Sequence, residues 1–133
     1  MKKMIILSIK TDQPLAEIGL FENQKKLGYI KWQSHRQLSV AILQKIESLL
    51  KRQNLSWGDI GGIVFYSGPG SYTGLRIGAS VANALATSLK IPLASKNTQN
   101  WLNQGIKGLL DKKGKRLVIP EYGSPPKTTI PKK

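Results

Sequence analysis

One unit narrows the possible folds of this chain more than any other. A short apolar run, Ile63-Val64-Phe65-Tyr66, leads straight into Ser67-Gly68-Pro69-Gly70-Ser71-Tyr72-Thr73-Gly74-Leu75-Arg76-Ile77-Gly78. The Ala- and Leu-rich stretch Ala79–Leu89 follows, with no internal Gly or Pro. The first run reads as a buried strand and the last stretch as a helix. Between them Pro69 fixes one φ angle, while Gly68 and Gly70 accept angles that a residue with a Cβ resists. Ser71 or Thr73 can cap the free N–H groups of the new helix.

A strand-to-helix turn of this kind is a natural anion seat, because helix N–H groups and the helix dipole converge on it. The common phosphate fingerprints nevertheless fail. A P-loop needs Gly and then Lys five positions after Gly68, but Thr73 and Gly74 stand there; the dinucleotide pattern GxGxxG also needs Gly where Thr73 stands. From the residues alone the turn is either an anion site or a tight connection that lets the helix pack close to its strand.

The order of the chain adds the surroundings. Met4–Ile9 reads as a first strand, Leu15–Glu22 as a second and Lys26–Trp32 as a third, with turns at Lys10–Pro14 and Asn23-Gln24. Three strands with short connections make an antiparallel meander. Ser34 to Gln37 fits a capping box, and Leu38, Ala41, Ile42, Ile46, Leu49 and Leu50 recur at helical spacing up to Gln53-Asn54. Trp57–Ile60 links to the strand at Ile63. Pro92 stops the second helix, and Leu93-Ala94-Ser95 can be a fifth strand. Asn97–Leu110 fits a further helix capped by Asn97 or Thr98, and Arg116–Ile119 a short strand. The reading is an α/β fold of order β-β-β-α-β-α-β, one subdomain of the actin-like, ribonuclease H-like superfamily, over residues 1–110. Residues 111–133, with four prolines from Pro120 on, read as an extended basic tail.

GPGSYTGLRIG after an apolar strand resembles the signature of the TsaB family, and the resemblance runs from about Met4 to Ser95. It implies the non-catalytic partner in the machinery that makes threonylcarbamoyladenosine beside the anticodon of tRNA. The motif turn is then Gly68, Pro69, Gly70, Ser71, Thr73, Gly74 and Arg76. Family members have two actin-like halves and this chain has room for one. Pro120–Pro125 resembles the end of such a chain, which points to a shortened member that lost its middle. The resemblance further implies heterodimerisation with a TsaD-like catalytic subunit, with room for a TsaE-like ATPase, tRNA held through the complex, and a homodimer when the chain is alone.

The 133 residues contain no Cys and one His, His35, so disulfides and Cys- or His-rich metal sites are excluded. No apolar run is long enough to span a membrane. Lys10 and Asp12 interrupt the apolar start, no cleavage site follows, and the expectation is a cytoplasmic protein. Catalysis finds little support. His35 sits at a helix start without a nucleophile partner, and the seven acids are scattered. In TsaB-like sequences the first strand commonly ends in Ile-Asp-Thr, whereas this chain has Ile9-Lys10-Thr11; Lys10 cannot bind Mg²⁺, and Asp12, two residues on, could share its side of the hairpin. No cofactor and no catalytic residue are expected.

What remains is a surface. Gly74, Gly78, Ala82 and Ala86 recur every fourth residue, so four small side chains form one stripe on the second helix. The stripe either packs on the chain's own sheet or admits a partner helix. The resemblance assigns it, with Leu38 and Ile42 of the first helix, to a helical bundle with the catalytic subunit. On that reading Ala82→Arg leaves the chain folded and abolishes assembly. The alternatives are a basic RNA-binding module and a degenerate actin-fold phosphotransferase.

The formal net charge is +14, and half of it lies after Ser95. A basic tail suggests nucleic acid or an acidic partner. Deleting residues 112–133 is expected to weaken tRNA binding by the assembled complex without affecting assembly. The dependence of log K on log salt should flatten by about 0.9 for each phosphate that no longer meets a cation. Filter binding over a salt series reads this directly, and an unchanged slope would make the tail a solvated bystander.

Overall fold

The computed structural model describes residues 3–34 and 38–111. Its elements are β1 (Ile5–Lys10), β2 (Leu15–Glu22), β3 (Lys25–Gln33), α1 (Leu38–Arg52), β4 (Ile60–Tyr66), α2 (Tyr72–Leu89), β5 (Leu93–Lys96) and α3 (Trp101–Leu110). A single 3₁₀ turn, Trp57–Asp59, leads into β4. The five strands form one mixed sheet in the order β3-β2-β1-β4-β5. β1–β2 and β2–β3 are antiparallel, as the meander predicts, and β4 and β5 join in parallel. Parallel neighbours need a crossover, and α1 and α2 supply the two crossovers.

Alternation along the strands decides which helix covers which face. Leu7 and Ile9 of β1, Ile18 and Leu20 of β2, and Ile63 and Phe65 of β4 point to one side. There they meet Ile42, Ile46, Leu49 and Leu50 of α1 and Leu75, Ala79, Ala82 and Ala86 of α2. Ile6, Phe21, Val64 and Ala94 point the other way, toward Trp101, Ile106 and Leu109 of α3. Gly105 lets α3 sit close, since a Cβ there would run into the Val64 side chain.

The ends of the helices follow local rules. Ser71 caps α2 by accepting from the Gly74 N–H at 3.2 Å. At the other end Lys90 takes a left-handed conformation (φ 58°), and Ile91 N donates to Ala86 O at 3.0 Å. Asn54 does the same after α1 (φ 57°), with Leu55 N donating to Leu50 O at 2.9 Å. Both are Schellman-type stops, which satisfy otherwise orphaned carbonyls.

Several expectations shift. β4 begins at Ile60 and α2 at Tyr72, earlier than the apolar patterns suggest, because Gly61, Gly62, Gly74 and Gly78 sit inside regular elements. α3 begins at Trp101 with Asn100 at the cap position, so neither Asn97 nor Thr98 fills it. Thr98 instead gives its hydroxyl to Gln104, and its carbonyl accepts from Trp101 N. Ser34 donates its hydroxyl to the Pro14 carbonyl. Its expected capping partner Gln37, together with His35, the strand at 116–119 and the tail, lies outside the described residues.

The largest correction concerns the small stripe. Gly78 is buried, and Ala82 and Ala86 are 0% and 1% exposed. They lie against this chain's own sheet, because α2 must come close to β1 and β4 to complete the crossover. Leu38 and Ile42 are likewise core residues, at 4% and 0% exposure. None of these five is available to a partner. Ala82→Arg is therefore expected to unfold the chain, since an unpaired charge would be forced into a closed core. Ala84→Arg, on the exposed side of the same helix, should leave it folded. Far-ultraviolet circular dichroism during thermal unfolding distinguishes the two.

Candidate functional site

Parallel pairing of β1 with β4, in register at Ile9 and Phe65, brings their carboxyl ends together. Two turns therefore meet at one end of the sheet: Thr11–Pro14 after β1, and Ser67–Ser71 after β4. This is where an open α/β sheet of this kind places a ligand. Gly68 has φ 102°, a conformation that favours glycine, and the Gly68–Pro69 peptide is cis.

The two turns are tied to each other. Ser71 N donates to Asp12 O at 2.8 Å, and the Thr11 hydroxyl donates to Gly74 O at 2.8 Å. The glycines make this approach feasible. A Cβ on Gly70 would collide with Asp12, one on Gly74 with the Thr11 carbonyl, and one on Gly78 with the Thr11 hydroxyl and the Phe65 ring. Ser67 closes the far side, its N–H and hydroxyl both donating to Lys96 O. The turn is thus fastened to its own hairpin. Of the motif residues, Gly68 is buried, Gly70 and Gly74 are partly covered, and Pro69, Ser71, Thr73 and Arg76 are exposed. Arg76 lies with its guanidinium carbon 5.8 Å from the Tyr72 ring centre.

The charge arrangement bears on nucleotide chemistry. Lys10 Nζ lies 2.7 Å from Asp12 Oδ1, so the two do share one side of the hairpin. Asp12 is 6% exposed, and the same ammonium sits 5.0 Å above the Tyr66 ring. The carboxylate best placed to hold a metal beside the turn is thus already neutralised by a covalently attached cation. A Mg²⁺–nucleotide does not fit this donor set, because the metal would have to displace Lys10 and leave its charge poorly compensated.

A second surface lies on the outward side of α1 and α2. Val40, Leu43 and Tyr72 are 54%, 42% and 49% exposed. Beside them Ser39, Arg76, Ile77, Ser80 and Val81 line a groove of about 220 Å³. Apolar spacing alone hides these residues, because Leu38 and Ile42 claim the same helix. A usable signal exists: once the stripe is assigned to the sheet, Ile77 and Val81 fall on the next face, beside Val40 and Leu43.

Among the described residues no helix is long and apolar enough to cross a membrane. Tyr29 donates its hydroxyl to Glu17 at 2.7 Å. Burial first, then this bond and the Glu17 charge, push its pKa above the usual tyrosine value.

The family model described as TsaD, tRNA N6-adenosine threonylcarbamoyltransferase, matches residues 22–113. A Bacillus subtilis protein named tRNA threonylcarbamoyladenosine biosynthesis protein TsaB is 35% identical over 92 residues, which is 69% of this chain and 40% of that protein. The Escherichia coli protein of the same name is 28% identical over 102 residues, 77% of this chain and 44% of that one. The chain thus spans less than half the length of these relatives. Among solved structures, YeaZ from Pseudomonas aeruginosa superposes with a TM-score of 0.67 at 22% identity, covering 82% of this chain and 50% of that one. That likeness establishes the shared actin-like fold.

From the Lys10–Asp12 pair, calorimetry with Mg-ATP on the isolated chain is expected to show no micromolar binding. Micromolar binding that disappears on Gly70→Ala would overturn this.

Proposed function

The chain belongs to the family described as TsaD, tRNA N6-adenosine threonylcarbamoyltransferase, and on that premise we propose that it is a non-catalytic subunit of a tRNA threonylcarbamoyladenosine-forming complex. In this reading it pairs with a TsaD-like catalytic subunit and acts as a scaffold in the cytoplasm. The observation that carries it is the Lys10–Asp12 ion pair, which closes the seat where a metal-dependent step could occur on this chain. The names of the relatives support the pathway. The degenerate phosphotransferase is disfavoured by the same ion pair.

The partner surface is the outward face of α1 and α2, centred on Val40, Leu43, Tyr72, Ile77 and Val81. It replaces the small stripe, which the core has already taken. Exposed Val40, Leu43 and Tyr72 with partly exposed Ile77 and Val81 suit a helix pair from another subunit, and the exposed Arg76 of the same groove offers a cation to an acidic group of that partner. Without the catalytic subunit the same face would serve a second copy. A TsaE-like ATPase would then dock elsewhere on the assembled pair.

Val40→Arg with Leu43→Arg is expected to abolish co-sedimentation with a TsaD-like subunit. The variant should keep its circular dichroism and melting temperature, because both side chains are exposed. Ala84→Arg should assemble normally. Assembly that survives the double substitution would place the interface elsewhere and remove the basis for the scaffold reading.

A further inference from the structure

Among the described residues the sheet ends in two edge strands, β3 on one side and β5 on the other. An edge strand offers unpaired N–H and C=O groups to any further strand. β5 has four residues, and so short an edge gives an added strand little to hold. β3 has nine, Lys25–Gln33, and pairs along that length with β2 alone. Every second residue of such a strand turns its backbone polar groups away from its neighbour. A groove of about 450 Å³ opens there between β3 and α1, and Tyr29, Ile30 and Lys31 all line it. Neighbouring strand residues point to opposite faces, so a groove that touches all three follows the backbone edge. One contact blunts the edge: the Gln53 side chain donates to the Leu27 carbonyl at 3.2 Å. The middle of the strand, Leu27-Gly28-Tyr29-Ile30, is neutral and holds the β-formers Tyr29 and Ile30.

We infer that Lys25, Lys26 and Lys31 are a charge guard that keeps this edge from adding the β3 strand of a second copy of the chain. All three are exposed, they bracket the neutral stretch, and β3 holds no acidic residue. β2 does carry counter-charges, since Glu22 stands opposite Lys25 and Glu17 opposite Lys31. Those acids lie on the inner side and are engaged: Glu17 accepts from the Tyr29 hydroxyl at 2.7 Å, and Glu22 lies 3.5 Å from Lys3. A strand laid on the outer edge would run about 4.8 Å from β3 and about twice that from β2, so it meets the lysines before the acids. An identical strand brings its own lysines to that distance, and like charges across two strands oppose pairing. Lys26 is held with its ammonium 5.5 Å from the centre of the Tyr29 ring, which keeps one charge beside the neutral stretch. Lysines flanking a β-forming run are a general defence of an open edge. The two edges are thus protected differently, β5 by its shortness and β3 by its charge. The guard acts on β3 and does not rest on the partner face of α1 and α2.

The test uses the whole 133-residue chain carrying Val40→Arg and Leu43→Arg, which separates association through the edge from association through the helix face. Sedimentation velocity at low ionic strength should find this parent monomeric. Adding Lys25→Thr, Lys26→Thr and Lys31→Thr is expected to double its apparent mass or raise it further, and the β3 amides should gain protection from hydrogen exchange. Circular dichroism checks that the fold is kept. A control triple of equal charge loss, Lys3→Gln, Lys51→Gln and Lys107→Gln, should stay monomeric. The charge-reversed edge, Lys25→Glu with Lys26→Glu and Lys31→Glu, gives a second reading that stands even where the neutral variant folds poorly. Alone it should be monomeric, and mixed with the parent it should form a complex that added salt dissociates. A folded neutral triple that stays monomeric, equal association by the control triple, a parent that associates by itself, or a charge-reversed chain that ignores the parent would each overturn the guard. Pairing with a catalytic subunit is scored apart, on chains with the helix face unchanged, so the scaffold reading stands or falls independently.

Discussion

The parallel pairing of β1 with β4 governs everything else in the molecule. It sets the first hairpin turn against the turn that opens α2, and the two are then stitched by Thr11 to Gly74 and by Asp12 to Ser71. The stitching needs backbone and hydroxyl groups to approach positions where any Cβ would collide. Gly70, Gly74 and Gly78 supply that room. Once α2 is held at its start, its small residues and Leu75 are drawn onto the sheet, while Tyr72, Ile77 and Val81 reach the surface. α1 then packs beside it over β2 and β3.

The same pairing explains why one glycine-rich motif can look like a ligand loop and serve as a joint. Helix N–H groups that would cradle an anion are partly spent within the chain: Ser71 N on the hairpin carbonyl and Gly74 N on the Ser71 hydroxyl. The Lys10 ammonium meets Asp12 at 2.7 Å. An internal cation held at that distance already compensates the carboxylate, and a metal ion would have to displace it. What stays exposed nearby on the outward side is an apolar face on two helices.

Much of the fold was legible in the chain. The alternation at Lys26–Trp32, the apolar run before Ser67 and the Ala-rich helix each carry a local signal that survives folding. Residues 15–22 form the predicted second strand without revision. Starts and ends were less legible where glycine lies inside an element, as at Gly61, Gly62, Gly74 and Gly78, because glycine weakens the local signal while tertiary packing supplies the missing stability. Spacing allowed Lys10 and Asp12 to share one side of the hairpin, since they flank one position at the end of a strand; the fold of the turn then joined them.

Residue type and short-range spacing were enough to dictate the order of the elements and the strand-turn-helix unit; that Lys10 stands in place of a metal-binding carboxylate is what the resemblance to TsaB-like sequences implies. The direction in which the small stripe faces was settled only by packing. A period of four residues defines a face of a helix but not what lies against it, and two surfaces accept small side chains equally well: a partner helix or the chain's own sheet. The sheet wins here because the crossover from β4 to β5 carries α2 over the sheet, within reach of Thr11 and Phe65. That outcome leaves Val40, Leu43, Tyr72, Ile77 and Val81 at the outward surface, a placement that their spacing gives only once packing has assigned the stripe to the sheet.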